Sequence, residues 1–293
     1  MHPVKIGTDA VGDGCPCWSI AELGINHNGS MDLAKAMIDV AASVGADAVK
    51  FQKRTIDAVY SQDALLTPRK SPFGDTNGDL KRGLEFNLDQ YAELGRYAIA
   101  KDLVWGASVW DEFAVEELVA ICNVRPHFLK IASPTITNKS VTQLCAHAKR
   151  EFGIPVIMST GMSTLKEISE AVEIIGKSKL ILMHCVSQYP QESLLTNMNI
   201  MDTLRAQYGV PVGYSGHELG IDISVHAASR GACCIERHFT LSRHLWGSDQ
   251  KVSIEPGEFQ QMIDKIQHLE AVDGSYDKKL LDVEIPAQRK LRR

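Results

Sequence analysis

The feature that most constrains the fold of this chain is a repeated alternation of short apolar segments with longer amphipathic segments between about residues 18 and 272. The short segments are typical of buried β-strands because they are apolar and are bounded by turn-forming residues. The eight predicted strands are Trp18–Leu23, Ala48–Gln52, Val104–Val109, Phe128–Ser133, Val156–Ser159, Leu180–Val186, Val212–Tyr214 and Cys233–His238. Eight strands that alternate with helices predict an α/β fold, a single closed (β/α)8 TIM barrel.

The segments between the strands have the apolar spacing of helices. Leu33, Met37, Ala41 and Val44 form one apolar stripe, and Ser30 precedes it as a candidate N-cap. The other predicted helices are Leu88–Ala100, Ala114–Ile121, Val141–Lys149, Leu165–Ile175, Met201–Gln207, Ile221–Ser229 and Phe259–Leu269. Glycines stand where several of these helices should end, as expected for C-terminal caps.

Three segments lie outside this alternation. Residues 1–17 contain Asp13-Gly14 between short β-prone pieces, which predicts a hairpin extension covering the bottom of the barrel. Residues 54–85 are rich in Pro and Gly, which predicts a long loop after the second strand that helps to shape the active site. The division is therefore a hairpin at 1–17, the barrel at 18–272 and a solvated tail at 273–293.

Composition limits the classes of function. The formal net charge of −5 provides no overall positive field that would hold nucleic acid or an anionic membrane. Neither a secretory signal nor a membrane-spanning run is found, so we expect a cytoplasmic protein. The seven cysteines lack the spacing of a zinc site, and we expect reduced thiols.

Polar side chains stand at the carboxyl ends of the predicted strands, which converge on one face of a parallel barrel. Two of them are lysines, Lys50 and Lys130, and a lysine in an apolar strand needs a counter-charge or hydrogen bonds. Nearby strands carry hydroxyl groups on Ser108, Ser133, Ser159 and Ser215. Each lysine could pair with a Glu or Asp inside the barrel, but two lysines among several hydroxyls favour a site for a phosphate and a carboxylate.

Two histidines, His217 and His238, end adjacent strands, where both imidazoles could bind one divalent metal ion. A pair of polar histidines at the rim is an equal alternative on spacing alone. Glu22, Glu236 and Asp249 add oxygen donors nearby, which favours a metal such as manganese, iron or zinc. Of the other histidines, His184 is predicted to lie in the core, and His27 either shapes a loop or contacts substrate.

Several ordered motifs resemble the sialic acid synthase family over roughly residues 18–272. The matching segments are Ile20-Ala21-Glu22-Leu23-Gly24-Ile25-Asn26-His27-Asn28-Gly29, Val49-Lys50-Phe51-Gln52, Leu129-Lys130-Ile131-Ala132-Ser133, Met158-Ser159-Thr160-Gly161-Met162, Met183-His184-Cys185, Tyr214-Ser215-Gly216-His217 and Ile235-Glu236-Arg237-His238-Phe239-Thr240. The resemblance implies a metal-dependent synthase on a TIM barrel that condenses phosphoenolpyruvate (PEP) with an aldose such as N-acetylmannosamine. The product would be a sialic-acid-like nonulosonic acid, and the protein would be a homodimer.

The resemblance also implies roles for individual residues. PEP would be held by Lys50, Lys130, Ser108, Ser133, Ser159, Ser187 and Ser215. His217 and His238 would bind the metal, usually Mn²⁺, which polarises the aldehyde of the sugar. Glu22 would assist the attack of water on C2 of PEP, and Gln52, Tyr189 and Asp249 would orient the acceptor sugar.

The chain departs from the family pattern at three places. Thr135 stands where many members have a carboxylate that contacts the acceptor, and Ser187 stands where many bacterial members have Asn. The antifreeze-like C-terminal domain of many members, which offers an arginine to a partner's active site, is expected to be lacking. We hypothesise that the basic part of the 54–85 segment, with Arg69, Lys70, Lys81 and Arg82, closes over the sugar instead.

Two alternatives stay open. Lys50 or Lys130 could form a Schiff base in a class I aldolase if burial lowers the pKa of its amine. The barrel could also be a catalytically silent sugar-phosphate binding protein, although a binder would not need Glu22 together with both lysines and both histidines.

Overall fold

The eight long strands close into a parallel barrel in the computed structural model, which describes residues 2–121 and 124–292. They follow one another in chain order around the barrel, and the eighth pairs with the first to close the ring. The barrel strands are β3 Trp18–Gly24, β4 Ala48–Lys53, β7 Val104–Val109, β8 Phe128–Ile131, β9 Val156–Ser159, β10 Leu180–His184, β11 Val212–Gly216 and β12 Cys234–His238. The predicted (β/α)8 TIM barrel is confirmed.

Helices follow the strands and cover the outside of the barrel. Their bounds are α1 Met31–Ser43, α2 Ile56–Val59, α3 Gln62–Leu66, α4 Asn77–Leu84, α5 Leu88–Ile99, α6 Glu112–Ala120, α7 Lys139–Phe152, α8 Leu165–Ile175, α9 Ile200–Tyr208, α10 Asp222–Ser229, α11 Pro256–Asp273 and α12 Ile285–Leu291. Ser30 caps α1 as predicted, because its side chain accepts a hydrogen bond from the amide of Leu33. The buried face of α1 includes Ala34 and Ile38, whereas Leu33 and Val44 of the predicted stripe are only partly buried.

The N-terminal hairpin consists of β1 Val4–Ile6 and β2 Asp9–Val11, which pair antiparallel. Its turn lies at residues 7 and 8, so the predicted turn at Asp13-Gly14 is wrong. Gly7 has φ +59°, a left-handed conformation that a tight turn needs and that glycine adopts at little cost. The apolar side of the hairpin joins a core cluster with the amino-terminal halves of barrel strands and covers the bottom of the barrel.

The segment at residues 54–85 is folded, which corrects the prediction of a long loop. It contains α2, α3 and α4 together with an antiparallel pair, β5 Pro68–Ser71 and β6 Gly74–Thr76. A capping box between Thr76 and Asp79 starts α4, and Leu80 and Leu84 bury its apolar side. The elements of this insert are too short to have a recognisable period in the sequence, and the Pro and Gly residues stand at their turns.

The described part of the tail, residues 274–292, carries a 3-10 turn at Asp282–Glu284 and the short helix α12, and neither has a buried residue. Of the described helices, none combines the length and the apolar character needed to cross a membrane.

The side chains at the bottom of the barrel are packed so tightly that adding one methyl group should destabilise the fold. A Cβ atom added to Gly106 in β7 would lie 2.4 Å from the ring of Phe128, which is fully buried and packs edge-on against Trp18. Gly106→Ala should therefore lower the free energy of unfolding by about 1–3 kcal/mol. Gly257→Ala in α11, where an added Cβ meets nothing within 4 Å, is the matched control and should not destabilise the protein. Chemical denaturation measures both, and equal stability of the two variants would contradict the packing described here.

Candidate active site

One cavity of about 380 Å³ opens at the carboxyl ends of the barrel strands. All thirteen residues predicted from the sequence to form the site line this cavity: Glu22, Lys50, Gln52, Ser108, Lys130, Ser133, Ser159, Ser187, Tyr189, Ser215, His217, His238 and Asp249. Their catalytic and binding roles stay predictions, but the fold has brought together residues from all eight strands or the segments that follow them.

The register of the strands explains why these side chains converge. Lys50 in β4 lies beside Glu22 in β3, and Glu22 lies beside His238 in β12. Lys130 in β8 lies beside Ser108 in β7. Successive side chains of a strand point to opposite faces, so residues at these matched positions all face the barrel interior, while their chain neighbours face the helices.

Both lysines are paired with buried carboxylates. Lys50 forms an ion pair with Glu22 and donates a hydrogen bond to the Ser108 Oγ at 2.7 Å. Lys130 pairs with Glu236, whose Oε1 also lies 3.9 Å from the Lys50 Nζ. The alternative considered from the sequence, that each lysine pairs with an acid inside the barrel, is therefore correct for both. These pairs nevertheless line the cavity, where an incoming anion can compete with the carboxylates.

Burial and the charges of neighbouring side chains have opposite effects on the pKa values of Lys50 and Glu236. Burial lowers the pKa of the Lys50 ammonium, and the carboxylates of Glu22 and Glu236 only partly oppose it. Burial alone would raise the pKa of Glu236, but the ammonium groups of Lys130 and Lys50 hold it well below its ordinary value. Glu236 is therefore an ionised carboxylate. Its Oε2 is buried without a hydrogen-bond partner among the described residues, which leaves one acceptor for a ligand.

The two predicted metal-binding histidines face each other, with their ring centroids 5.6 Å apart. Burial, and then the nearby His238, lower the pKa of His217 to about 3, so its imidazole is neutral at physiological pH. The Nδ1 of His217 lies 2.8 Å from the carbonyl oxygen of Val186 and donates to it, which leaves the Nε2 lone pair free. The Nδ1 of His238 is buried without a hydrogen bond among the described residues and lies 3.8 Å from the Asp249 Oδ2.

The side chains around His217 and His238 supply only part of the ligands that a metal ion needs. The imidazoles of His217 and His238 and the nearby carboxylate of Asp249 are suitable ligand types. Within residues 2–121 and 124–292, however, no three His, Cys, Asp or Glu side chains are close enough together to hold an ion. A metal here would have two histidine ligands and would depend on substrate, water or a movement of Asp249 for the rest.

Hydroxyl groups form another part of the cavity wall. The Ser133 Oγ lies 3.2 Å from the Cys185 sulfur. A Cβ atom added to Gly161 would be 2.6 Å from the Ser187 Oγ and 2.8 Å from the Ser133 Oγ. Glycine at position 161 thus lets the backbone after β9 approach these hydroxyls closely, which forms a small polar cradle.

Other residues singled out from the sequence lie outside the cavity. His184 is buried and its Nε2 hydrogen-bonds the carbonyl of Thr196, as expected for a core histidine. His27 is stacked on Phe86 at 4.1 Å and its Nδ1 accepts from the amide of Gly29, so it shapes the loop after β3. Thr135 is buried and bonds to the carbonyl of Ala132, and it does not line the cavity.

Several lining residues were missed by the sequence analysis, among them Arg54, Tyr60, Trp110 and Cys185. Three of these directly follow a strand, so the rule that strand ends form the active site could have found Arg54, Trp110 and Cys185. Tyr60 and Lys81 belong to the insert, and only its tertiary position brings them to the cavity. Of the four basic residues expected to close over the sugar, Lys81 alone lines this cavity; Arg82 pairs with Asp57.

A buried network behind the cavity supports the loop that carries His217. Arg237 in β12 points away from the barrel interior and pairs with Glu218 at 3.1 Å, and both side chains are fully buried. The guanidinium also donates to the carbonyl oxygens of Glu218 and Gly220, and the Tyr214 hydroxyl donates to the Glu218 Oε2. These bonds hold the chain between β11 and α10 in place directly beside His217.

The fold and this cavity define a TIM barrel whose polar site lies at the carboxyl ends of the strands, and the comparisons with known proteins identify its family. Residues 37–278 match the NeuB family, and the chain belongs to this family of sialic acid synthases. It is 37% identical to human N-acetylneuraminate-9-phosphate synthase, covering 96% of this chain and 78% of that protein. It is 35% identical to N,N'-diacetyllegionaminic acid synthase of Legionella pneumophila, covering 96% of this chain and 80% of that protein.

A solved structure is also similar over its whole length. The N-acetylneuraminic acid synthetase of Leptospira borgpetersenii, crystallised with citrate, superposes with a TM-score of 0.85 at 30% identity. The match covers 99% of this chain and 98% of that chain.

The Arg237–Glu218 pair leads to a prediction about stability. Arg237→Met should lower the free energy of unfolding by about 3–5 kcal/mol, because it leaves the Glu218 carboxylate buried without its counter-charge. Lys101→Met, which breaks the solvent-exposed pair with Asp39, is the control and should change stability little. Urea unfolding at neutral pH measures the difference. A small loss of unfolding free energy in Arg237→Met would contradict this prediction. It would mean that the Glu218 carboxylate is protonated or hydrated in the variant.

Buried histidines should make the protein less stable in mild acid. Burial lowers the pKa of His27 to about 3, whereas in the unfolded chain the imidazole takes up a proton near its ordinary pKa of about 6.5. The unfolded state then binds more protons, so the free energy of unfolding falls as pH decreases from 7 to 5. His27→Phe, which keeps a ring against Phe86, should reduce this pH dependence, and His268→Phe on the exposed side of α11 should not. Identical slopes for His27→Phe and the parent would contradict the assignment.

Proposed function

We propose that this protein condenses PEP with an aldose of the N-acetylmannosamine, related hexosamine or mannose type, forming a sialic-acid-like nonulosonic acid and phosphate. The observation that carries the proposal is the meeting of Lys50 and Lys130 with His217 and His238 in a single cavity. The relatives support it, since they are synthases of N-acetylneuraminate 9-phosphate, diacetyllegionaminic acid and pseudaminic acid.

PEP would bind by competing for the paired lysines. Lys50 and Lys130 carry two positive charges, and Glu22 and Glu236 carry two negative charges, so the group has no net charge before PEP binds. The phosphate and carboxylate of PEP can take over the lysine ammonium groups with the hydroxyls of Ser108, Ser133, Ser159, Ser187 and Ser215. This exchange would release Glu22 from Lys50 and leave its carboxylate free to accept a proton.

The reaction would then run in three steps. C3 of PEP attacks the aldehyde carbon, forming the new carbon–carbon bond, while the aldehyde oxygen takes up a proton and positive charge develops at C2. Water adds to C2 and gives a proton to Glu22. The hydroxyl proton of this tetrahedral intermediate passes to the leaving phosphate as the C2–O bond breaks, and C2 becomes the keto carbon of the product. The overall change consumes one PEP, one aldose and one water.

The acceptor sugar would lie toward the outer part of the cavity. Gln52 donates a hydrogen bond to the Glu22 Oε1 at 2.8 Å, so a sugar that contacts Gln52 lies next to the catalytic carboxylate. The half-exposed Tyr189 ring packs 4.2 Å from the His217 ring, and Asp249 lies beside His238. Gln52, Tyr189 and Asp249 are thus suited to hydrogen-bond the hydroxyls of an open-chain sugar.

A divalent metal, which we propose to be Mn²⁺, would be held by His217 and His238. Such an ion supplies a Lewis acid for the aldehyde oxygen of the acceptor. The neutral His217 imidazole supports this assignment, because its Nε2 has a lone pair available. The Nδ1 of His238 has no hydrogen-bond partner among the described residues, so no protein group already occupies it.

A class I aldolase is the second candidate function, and the lowered pKa of Lys50 favours it. A neutral amine is the nucleophile that forms a Schiff base, and burial increases its fraction. The ion pair with Glu22 opposes this by stabilising the ammonium form. Borohydride trapping with pyruvate would give a covalent adduct with an aldolase and none with the synthase.

The test of the proposed function is phosphate release and product mass with PEP, Mn²⁺ and a panel of aldoses. Glu22→Gln should lower the rate of phosphate release by about 10²–10⁴-fold, because it removes the proton acceptor for water. PEP binding, measured by calorimetry, should be retained or stronger, since the competing carboxylate on Lys50 is gone. Glu93→Gln, which alters an exposed pair with Lys35, is the control. Full activity in Glu22→Gln, or no phosphate release from the parent with any aldose, would refute the proposal.

A further inference from the structure

The side chain of Gln52 lies between the carboxylate of Glu22 and the guanidinium of Arg54. Its Nε2 donates a hydrogen bond to the Glu22 Oε1 at 2.8 Å, and its Oε1 accepts one from a terminal nitrogen of Arg54. Lys50, Gln52 and Arg54 are spaced two residues apart, so the alternation of β4, continued by one residue, directs all three toward the cavity that they line. A chain of hydrogen bonds therefore connects Arg54 to Glu22 along the cavity wall.

The two partners of Gln52 decide which way its amide points. The oxygen and the nitrogen of a side-chain amide can exchange positions with little change in shape, so the orientation follows from the surrounding groups. The carboxylate of Glu22, paired with Lys50, accepts hydrogen bonds, whereas a guanidinium only donates them. Turning the amide over would place its oxygen against Glu22 and its nitrogen against Arg54, and both bonds would be lost. Arg54 therefore keeps the donor of Gln52 on Glu22.

Arg54 is itself held on several sides. It is 8% exposed, and its guanidinium stacks on the ring of Trp110 at 4.1 Å. Its backbone N–H donates to the Glu85 Oε2 at 3.3 Å, and its carbonyl oxygen accepts from the Lys53 Nζ at 3.3 Å. Glu85 ends the insert and Trp110 follows β7, so the insert and the barrel together fix the position of this guanidinium.

The backbone beside Glu22 leaves room for the bond that Arg54 orients. Gly24 follows an irregularity in the pairing of β3 with β4 and has φ +50°, a left-handed conformation. A Cβ atom at this position would lie 2.8 Å from the Glu22 Oε1 and 3.0 Å from the Gln52 Nε2. The absence of a side chain at position 24 thus leaves space around the two atoms that form the hydrogen bond.

We propose that Arg54 is a positioning residue that acts through Gln52 to hold the Glu22 carboxylate in place for the attack of water. This inference rests on the proposed function, in which PEP displaces Glu22 from Lys50. Within residues 2–121 and 124–292, Gln52 is the one side chain besides Lys50 that bonds to Glu22, so it alone would hold the carboxylate after that exchange. Hydrogen bonds in a chain polarise one another, and the charge of Arg54 makes the Gln52 amide a stronger donor.

The experiment is a double-mutant cycle, measured with PEP, Mn²⁺ and the most active aldose of the panel. Arg54→Met keeps an unbranched side chain beside Trp110 but donates no hydrogen bond, so kcat should fall on the order of 10- to 100-fold through misplacement of the base. The KM for PEP should change less than about 2-fold, because Arg54 contacts none of the side chains assigned to PEP. In Gln52→Met the connection is already broken, and adding Arg54→Met should lower kcat by less than about 2-fold more.

Arg96→Met is the matched control, because it removes a guanidinium from the exposed side of α5. The kcat of this variant should equal that of the parent. A thermal melt by circular dichroism checks that each variant is folded.

The rival role for Arg54 is direct contact with the acceptor sugar, since it lines the cavity and its Nε has no hydrogen-bond partner in the part of the chain that the structure describes. The losses of kcat/KM for the sugar in Arg54→Met and Gln52→Met would then multiply in the double variant. Multiplied losses would overturn the proposal, and so would an unchanged kcat in Arg54→Met beside an active parent.

Hydrogen exchange of the Gln52 side-chain amide tests the connection without turnover. Its Nε2 protons, assigned by NMR from their absence in Gln52→Met, should exchange with solvent at least about 10-fold more slowly in the parent than in Arg54→Met. Equal exchange rates would overturn the inference while leaving an active parent as a synthase. A parent that releases no phosphate with any aldose would refute the proposed function and the catalytic role of Arg54, whereas slow exchange would still show that Arg54 orients Gln52.

Discussion

The arrangement of the candidate active site depends on four charges buried inside a barrel whose lower half is apolar. Lys50 and Lys130 are each about 2–3% exposed, and neither could remain charged there without a partner. Glu22 and Glu236 supply the partners from neighbouring or facing strands, and Ser108 and Ser215 complete the hydrogen bonds. Such a group contributes little net stability compared with an apolar core, so its presence is better explained by the site than by the fold.

The barrel separates stabilising packing from polar chemistry along its axis. At the bottom, an apolar cluster fills the barrel; it includes the N-terminal hairpin, Trp18 and Phe128. Gly106 leaves room for the Phe128 ring because it has no side chain. At the top, alternate positions of the same strands carry charged and hydroxyl side chains. Residues on the outer faces of these strands face the helices, and there the Arg237–Glu218 pair holds the loop of His217. The apolar packing at the bottom and the Arg237–Glu218 pair outside the barrel thus support a cavity in which positive and negative side chains are paired.

The insert between β4 and α5 adds basic side chains in and beside the cavity. It carries no catalytic candidate of its own, yet its helix α4 brings Lys81 to the edge of the cavity, and its hairpin brings Arg69 and Lys70 to the space next to it. No acidic side chain among the described residues lines that space, in contrast to the paired lysines inside the barrel. The inner group is neutral and exchangeable, whereas the outer group has an excess of positive charge that favours anionic ligands.

The sequence by itself determined the barrel and the inner site, because both follow from local regularities. The apolar period defined eight strands, and the convergence of parallel strand ends placed residues such as Lys50, Lys130 and His217 on one face. The tertiary structure alone decided which acid pairs with which lysine, how the segment at 54–85 folds, and that Arg54 and Lys81 meet next to the site. Those outcomes depend on contacts between residues distant in the chain, such as Lys130 with Glu236, and on elements too short to leave a period in the sequence.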